Sequence, residues 1–248
     1  RGFDKPILRH LTVAPEIHGV SGLDGASLPK ATVKATGKHA VDFIVDTLKA
    51  SNDTVTLVPT GPLTNIAVSL IKEPSIREKI DRIVLMGGAV FDSNVTPAAE
   101  FNIYVDPEAA KTVFESGIPI TMVGLDVTNK AVFTFEDIKR IGEMKGAVSS
   151  VVAPLLEFFA KANLEIFKIK GAPLHDPLTI AYLIDERLLE TEKLRVDIET
   201  RGEFTTGRTV VDVYGITGKE PNADVAMRVN VDSFKKLIFK ALEELDKR

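Results

Sequence analysis

Apolar positions along this chain follow two alternating rhythms. Val41, Phe43, Ile44, Val45 and Leu48 keep to one helical face, residues 54–58 read as a short buried strand, and residues 63–71 return to a helical pattern. Arg82-Ile83-Val84-Leu85-Met86 predicts a second buried strand that stops at Gly87-Gly88. Pro107-Glu108-Ala109-Ala110 then opens a helix, with Pro107 suited to its first turn, and leads to the strand Ile120-Thr121-Met122-Val123. Thr134 with Asp137 marks another helix start, and the apolar run 148–159 predicts a helix that Pro154 ends or kinks. Residues 193–231 are less regular: extended runs at 194–198 and 209–213 are separated by Gly, Pro and Asn. The last helix presents Phe234, Leu237, Ile238, Ala241, Leu242 and Leu245 as one stripe after an Asp232-Ser233 cap.

Helices alternating with buried strands predict an α/β fold, a mainly parallel central sheet flanked by helices. No repeat, low-complexity stretch or linker divides the chain, so residues 1–248 are expected to form a single domain. With 44% hydrophobic and 27% charged residues the chain can bury a substantial core. A formal charge of -4, with no block of like charges, gives no footprint for a nucleic-acid backbone or an anionic membrane, which leaves small molecules as the expected partners. Cysteine is absent, which excludes disulfides, thiolate metal sites and a cysteine nucleophile. No apolar run is long enough to cross a bilayer and Arg1-Gly2-Phe3-Asp4-Lys5-Pro6 has no secretory character, so a cytoplasmic protein is expected.

In parallel α/β sheets ligands bind beyond the carboxyl ends of strands, so the segments after each predicted strand are where chemistry is sought. These are Pro59-Thr60-Gly61-Pro62-Leu63-Thr64-Asn65, the stretch from Gly87-Gly88 to Glu100-Phe101-Asn102, and Gly124-Leu125-Asp126-Val127-Thr128. If the chain is extended there, Glu100 and Asn102 share a face and suit vicinal hydroxyls, since a carboxylate accepts from two hydroxyls and an amide both donates and accepts. A solvated Glu100 and a turn-capping Asn102 would leave the same pattern. His175-Asp176-Pro177 precedes an apolar helix, where Asp176 could equally be an N-cap with Pro177 in the first turn. His18 lies in a glycine-bearing loop, and His10 and His39 have no notable company and read as surface residues. No dinucleotide fingerprint, P-loop, nucleophile elbow or His-Glu-x-x-His helix is present, so Gly87-Gly88 reads as close backbone packing rather than a phosphate cradle.

Taken together, Gly61-Pro62-Leu63-Thr64-Asn65-Ile66-Ala67, Met86-Gly87-Gly88-Ala89, the stretch Asn94 to Asp106 and His175-Asp176-Pro177 resemble the nucleoside hydrolase family, the inosine-uridine-preferring nucleoside ribohydrolases. Val105-Asp106-Pro107-Glu108-Ala109-Ala110 and Thr206-Gly207-Arg208-Thr209-Val210-Val211-Asp212 look like its bacterial pyrimidine-preferring branch. The resemblance implies hydrolysis of the N-glycosidic bond of a ribonucleoside by a calcium-bound water, through an oxocarbenium-like transition state, with uridine and cytidine favoured over inosine. It makes Asp176 a calcium ligand and Thr60 the donor of a backbone carbonyl to the same ion; it assigns Asn94, Glu100 and Asn102 to the ribose hydroxyls, with Met86 beneath the sugar and Phe101 beside it. His175 would face the leaving base as proton donor, His18 would close over it, and Asn163 and Phe167 would stand near it. Dimers or tetramers are implied for the assembly.

One departure from the family pattern is large. Its sequences open on a strand ending in Asp-x-Asp-x-x-x-Asp-Asp, which supplies further calcium ligands and the base for the water; nothing here matches it, as though roughly the first fifth were absent. Calcium takes about 6 to 8 oxygen ligands. The expectation is an N-terminally truncated domain that lacks one strand of the sheet, binds calcium poorly, and is unstable or inactive as a 248-residue polypeptide. The alternative from another class is a nucleoside or ribose binding protein without catalysis, which needs neither a proton donor nor calcium. A scaffold role has no charge or aromatic patch to support it.

Overall fold

The computed structural model describes residues 1–248 as two compact units, one made of Arg1–Leu11, Ala35–Val127 and Leu189–Arg228, the other of Thr12–Lys34, Thr128–Leu188 and Val229–Arg248. The first unit holds a six-stranded sheet built from β1 (Val55–Leu57), β2 (Ile80–Met86), β3 (Ile120–Val123), β6 (Leu189–Ile198), β7 (Thr209–Asp212) and β8 (Ala223–Val229), in the order β1-β2-β3-β8-β6-β7. β1, β2, β3 and β8 run parallel, and β6 and β7 form an antiparallel pair. This is the mixed, mostly parallel α/β sheet that alternating helical and extended patterns predict.

Helices α2 (Ala40–Ala50), α3 (Thr64–Lys72), α4 (Phe101–Val105) and α5 (Pro107–Phe114) belong to the same unit. Their apolar faces supply Val45, Leu48, Ala67, Leu70, Ala109 and Val113 to a core shared with Ile83, Leu85, Ile120 and Met122 of the sheet. Pro107 stands in the first turn of α5, and Asp106 caps it by accepting from Ala109 N at 3.1 Å. The same buried carboxylate accepts from Ile7 N at 2.9 Å and Thr64 Oγ1 at 2.6 Å, which fastens the N-terminal segment to the start of α3.

β8 is a strand that the irregular sequence between 193 and 231 conceals. Asp224 and Arg228 interrupt its apolar positions and Pro221-Asn222 precedes it, so it carries no continuous hydrophobic run, yet it pairs with the buried β3. Asn222 sets its entry: Oδ1 accepts from Val196 N at 2.7 Å while Nδ2 donates to the Val196 and Phe114 carbonyls.

The second unit contains α1 (Pro15–His18), α7 (Phe135–Glu143), α8 (Ser149–Ile166), α9 (His175–Ile184), α10 (Val231–Asp246) and the two-stranded sheet of β4 (Val132–Phe133) with β5 (Ala172–Pro173). Thr128, the first residue of its second segment, ends the short helix α6 (Leu125–Thr128). Thr134 and Asp137 form a full capping box on α7. Two expectations are corrected. Pro154 does not end α8, which continues to Ile166; the lost amide is one hydrogen bond in an 18-residue helix that packs along α7. The cap of α10 is Asn230, whose side chain accepts from Ser233 N at 3.1 Å, rather than Asp232-Ser233. No helix is long and apolar enough to cross a membrane.

Candidate functional site

In the first unit the residues of interest gather where β2 ends. Gly88 has φ 71°, a conformation that disfavours a side chain, and a Cβ there would stand 2.6 Å from Thr209 Cγ2. A Cβ on Gly124 would meet the Gly88 carbonyl at 2.7 Å. Gly124 therefore lets its backbone touch that of Gly88, and Gly88 packs closely against Thr209, in line with the close packing expected of the Gly87-Gly88 pair. Asp126 completes the turn, its carboxylate accepting from Val90 N at 2.6 Å and Phe91 N at 2.9 Å.

Glu100 closes over this turn. The segment is not extended: Glu100 is the N-cap of α4, only 3% exposed, and its carboxylate accepts from Asn102 N at 2.9 Å, Ile103 N at 3.1 Å and Gly88 N at 2.9 Å. The alternation argument is thus corrected, because a helix start sends Glu100 and Asn102 along different directions from those of a strand. Solvation of Glu100 is corrected too. Asn102, also buried, donates through Nδ2 to the Met86 carbonyl at 3.0 Å and lies near the Thr60 carbonyl at 3.4 Å. Asn94 Oδ1 accepts from Phe101 N at 2.9 Å, which pins the loop to the start of α4. Met86, the last residue of β2, packs with Ala89 and Leu125. The structure therefore brings Thr60, Met86, Asn94, Glu100, Phe101 and Asn102 together in one unit, with Phe101 half-buried.

The second unit groups the remaining candidates on α1, α8 and α9. The N-cap of α9 is Leu174, without a side-chain cap, so Asp176 stands inside the first turn and is not the capping residue that its tripeptide equally allowed. Asp176 presents surface to solvent, yet protein atoms crowd its carboxyl and push it up to about 6. No cation offsets that burial. His175 is held still more deeply: burial, with a smaller contribution from His18, lowers its ring to about 4. Its Nδ1 lies 2.8 Å from Thr128 Oγ1.

Phe159 joins two of the histidines. His18 stacks on it at 5.4 Å between centroids and 12° between planes, and His175 meets it edge-on at 6.3 Å and 76°. Burial also lowers the pKa of His18, opposed by Glu16. Asn163 is buried one helical turn beyond Phe159 and donates to its carbonyl at 2.9 Å, whereas Phe167 lies at the 38% exposed C-terminal end of α8 and takes no part in the stack. Phe159 and Thr128 were not singled out from sequence. The i, i+4 relation to Asn163 was the available signal for Phe159; for Thr128 it was only its place after a predicted strand.

The family model for "inosine-uridine preferring nucleoside hydrolase" matches residues 1–236, nearly the whole chain. The chain belongs to that family. As a member it is a nucleoside N-ribohydrolase. It is 49% identical over 238 residues to the pyrimidine-specific ribonucleoside hydrolase RihA of Escherichia coli O1:K1 / APEC, covering 96% of this chain and 76% of the relative. Its fold is similar to the purine-preferring ribonucleoside hydrolase from Gardnerella vaginalis, with a TM-score of 0.91 and 35% identity over 100% of this chain and 80% of that one. An inosine-guanosine nucleoside hydrolase superposes with a TM-score of 0.86 at 25% identity, over 100% of this chain and 80% of that one.

Proposed function

We propose that this nucleoside hydrolase cleaves the N-glycosidic bond of pyrimidine ribonucleosides, uridine and cytidine before inosine, releasing ribose and the free base in the cytoplasm as a homo-oligomer. The observation that carries the reading is the pair that opens α9: a half-buried His175 whose pKa burial lowers, beside an Asp176 whose carboxylate has no cationic partner. The similarity to a pyrimidine-specific relative supports the base preference. Asn94, Glu100 and Asn102 address the ribose hydroxyls, with Met86 and Phe101 as its apolar contacts. Glu100, oriented by three amides, is a fixed acceptor for a hydroxyl that needs no reorganisation. His175, His18 and Asn163 address the base, and Phe167 has the weakest claim of this group because of its exposure.

Calcium is the proposed metal, with the Asp176 carboxylate among its ligands. The donor set fits in part. An uncompensated carboxylate suits a hard cation, but no group of three or more His, Asp or Glu is gathered to hold one, and calcium takes about 6 to 8 oxygens. When bound, such an ion supplies polarisation of a water and of the ribose diol.

Assays of uridine, cytidine and inosine cleavage with calcium or with chelator test this reading. Faster release of uracil and cytosine than of hypoxanthine, raised by calcium, is expected. Inosine as the preferred substrate would overturn the base assignment, and tight nucleoside binding without any base release would support the non-catalytic alternative.

A further inference from the structure

Thr128 and His175 lie 47 positions apart in sequence, and their side chains meet inside the second unit. Thr128 is fully buried, and His175 Nδ1 at 2.8 Å is the partner of its hydroxyl. The hydroxyl has one proton to donate, whereas Nδ1 of a neutral imidazole is either a donor or an acceptor. Were the ring proton on Nδ1, that nitrogen would donate to Oγ1 and the hydroxyl proton would point into dry protein without an acceptor. Buried hydroxyls are seldom left so. The satisfied arrangement has Thr128 donating, Nδ1 accepting, and the ring proton on Nε2. The edge of Phe159 against the ring restrains its plane as well.

We propose that Thr128 is a positioning residue that fixes His175 as the Nε2–H tautomer, so that a neutral imidazole presents a hydrogen-bond donor to an acceptor atom on the departing base. No proton need leave the ring. The hydrogen bond stabilises negative charge as it develops on the base when the glycosidic bond breaks, which a neutral donor does without forming an imidazolium first. For a pyrimidine the matching acceptor is the carbonyl next to the glycosidic nitrogen. This inference rests on the placement of His175 at the base in the proposed function.

Long-range proton–nitrogen correlation spectra of ligand-free protein with nitrogen-15 histidine test it, with His175→Gln identifying the ring signals. The protein is expected to show the Nε2–H pattern for His175, Thr128→Val to shift it toward Nδ1–H or a mixture, and Thr128→Ser to restore it. In parallel, Thr128→Val should lower kcat for uridine about tenfold with KM nearly unchanged, and Ser should recover most of that loss. An Nδ1–H pattern in the unaltered protein would overturn the proposal, as would an unchanged tautomer in a folded Thr128→Val variant. The unaltered protein's spectrum decides even if the valine variant does not fold. If His175→Gln cleaves uridine as fast as the unaltered protein, the assignment of His175 to the base fails, while the spectra still judge the tautomer separately.

Discussion

Glu100 and Asp176 are both carboxylates at the start of a helix, and their surroundings treat them in opposite ways. Glu100 caps α4 and is wrapped by three backbone amides, so its carboxylate is part of what holds the turn after β2 in place. Asp176 sits in the first turn of α9 without a capping role, and burial raises its pKa to about 6 with nothing in its vicinity to offset the loss of water. One acid holds the fold; the other carries a burial that nothing around it offsets, which is the disadvantage a cation of the proposed kind would relieve. Perturbation by burial without compensation is a mark of functional sites. It shows that the two carboxylates, equally plausible in sequence, answer to different tests.

The contrast breaks first on activity. Asp176→Asn should lower base release by at least about 100-fold, because the proposed cation loses its carboxylate. The urea midpoint near neutral pH should stay the same or rise, since the substitution removes an uncompensated charge. A destabilisation as large as that of a Glu100 variant would show that Asp176 is structural. Glu100→Ala is expected to destabilise by about 2–3 kcal/mol, because it removes a cap and leaves buried amides without an acceptor. Equilibrium unfolding in urea measures it; a loss within error of zero would contradict the hydrogen bonding described.

Titration gives a smaller and more specific separation. The folded pKa of Asp176 is raised to about 6, so its contribution to stability is fully present below the unfolded value and is lost as pH rises through about 6. His175 is lowered to about 4, so its contribution is present above its unfolded value and is lost as pH falls through about 4. A cation needs the ionised carboxylate, and so calcium should raise the melting temperature more at about pH 7.5 than at about pH 5. Equal shifts at both would separate calcium from Asp176. The smallest effect expected is that of Phe159→Leu, which removes the His18 stack and the edge contact to His175 at a cost of roughly 0.5–1.5 kcal/mol. Broadened His18 ring signals in proton spectra should accompany it, whereas unchanged signals would mean the stack does not restrain that loop.

Much of the framework is legible because it follows local rules. The strand Ile120–Val123 and the Thr134–Asp137 cap stand where the pattern puts them, since a run of apolar residues and a capping box need no distant partner. β8 was hidden because its place depends on pairing with β3 and on Asn222, not on its own hydrophobicity. The position of Glu100 was partly legible: the motif named it, but glutamate is not a favoured N-cap, so the short helix α4 gave no signal of its own. His175 and Asp176 were found through their motif, yet their environments were not, because burial and the Thr128 contact arise from segments far apart in sequence.

The most direct test of the account is the release of free uracil from uridine by the purified protein, with His175→Gln and Asp176→Asn beside it and calcium present. The account predicts that the unaltered protein releases uracil and ribose and that both variants, while still folded, release far less. Uridine bound at stoichiometric amounts with no uracil formed, or release unchanged in both variants, would contradict it.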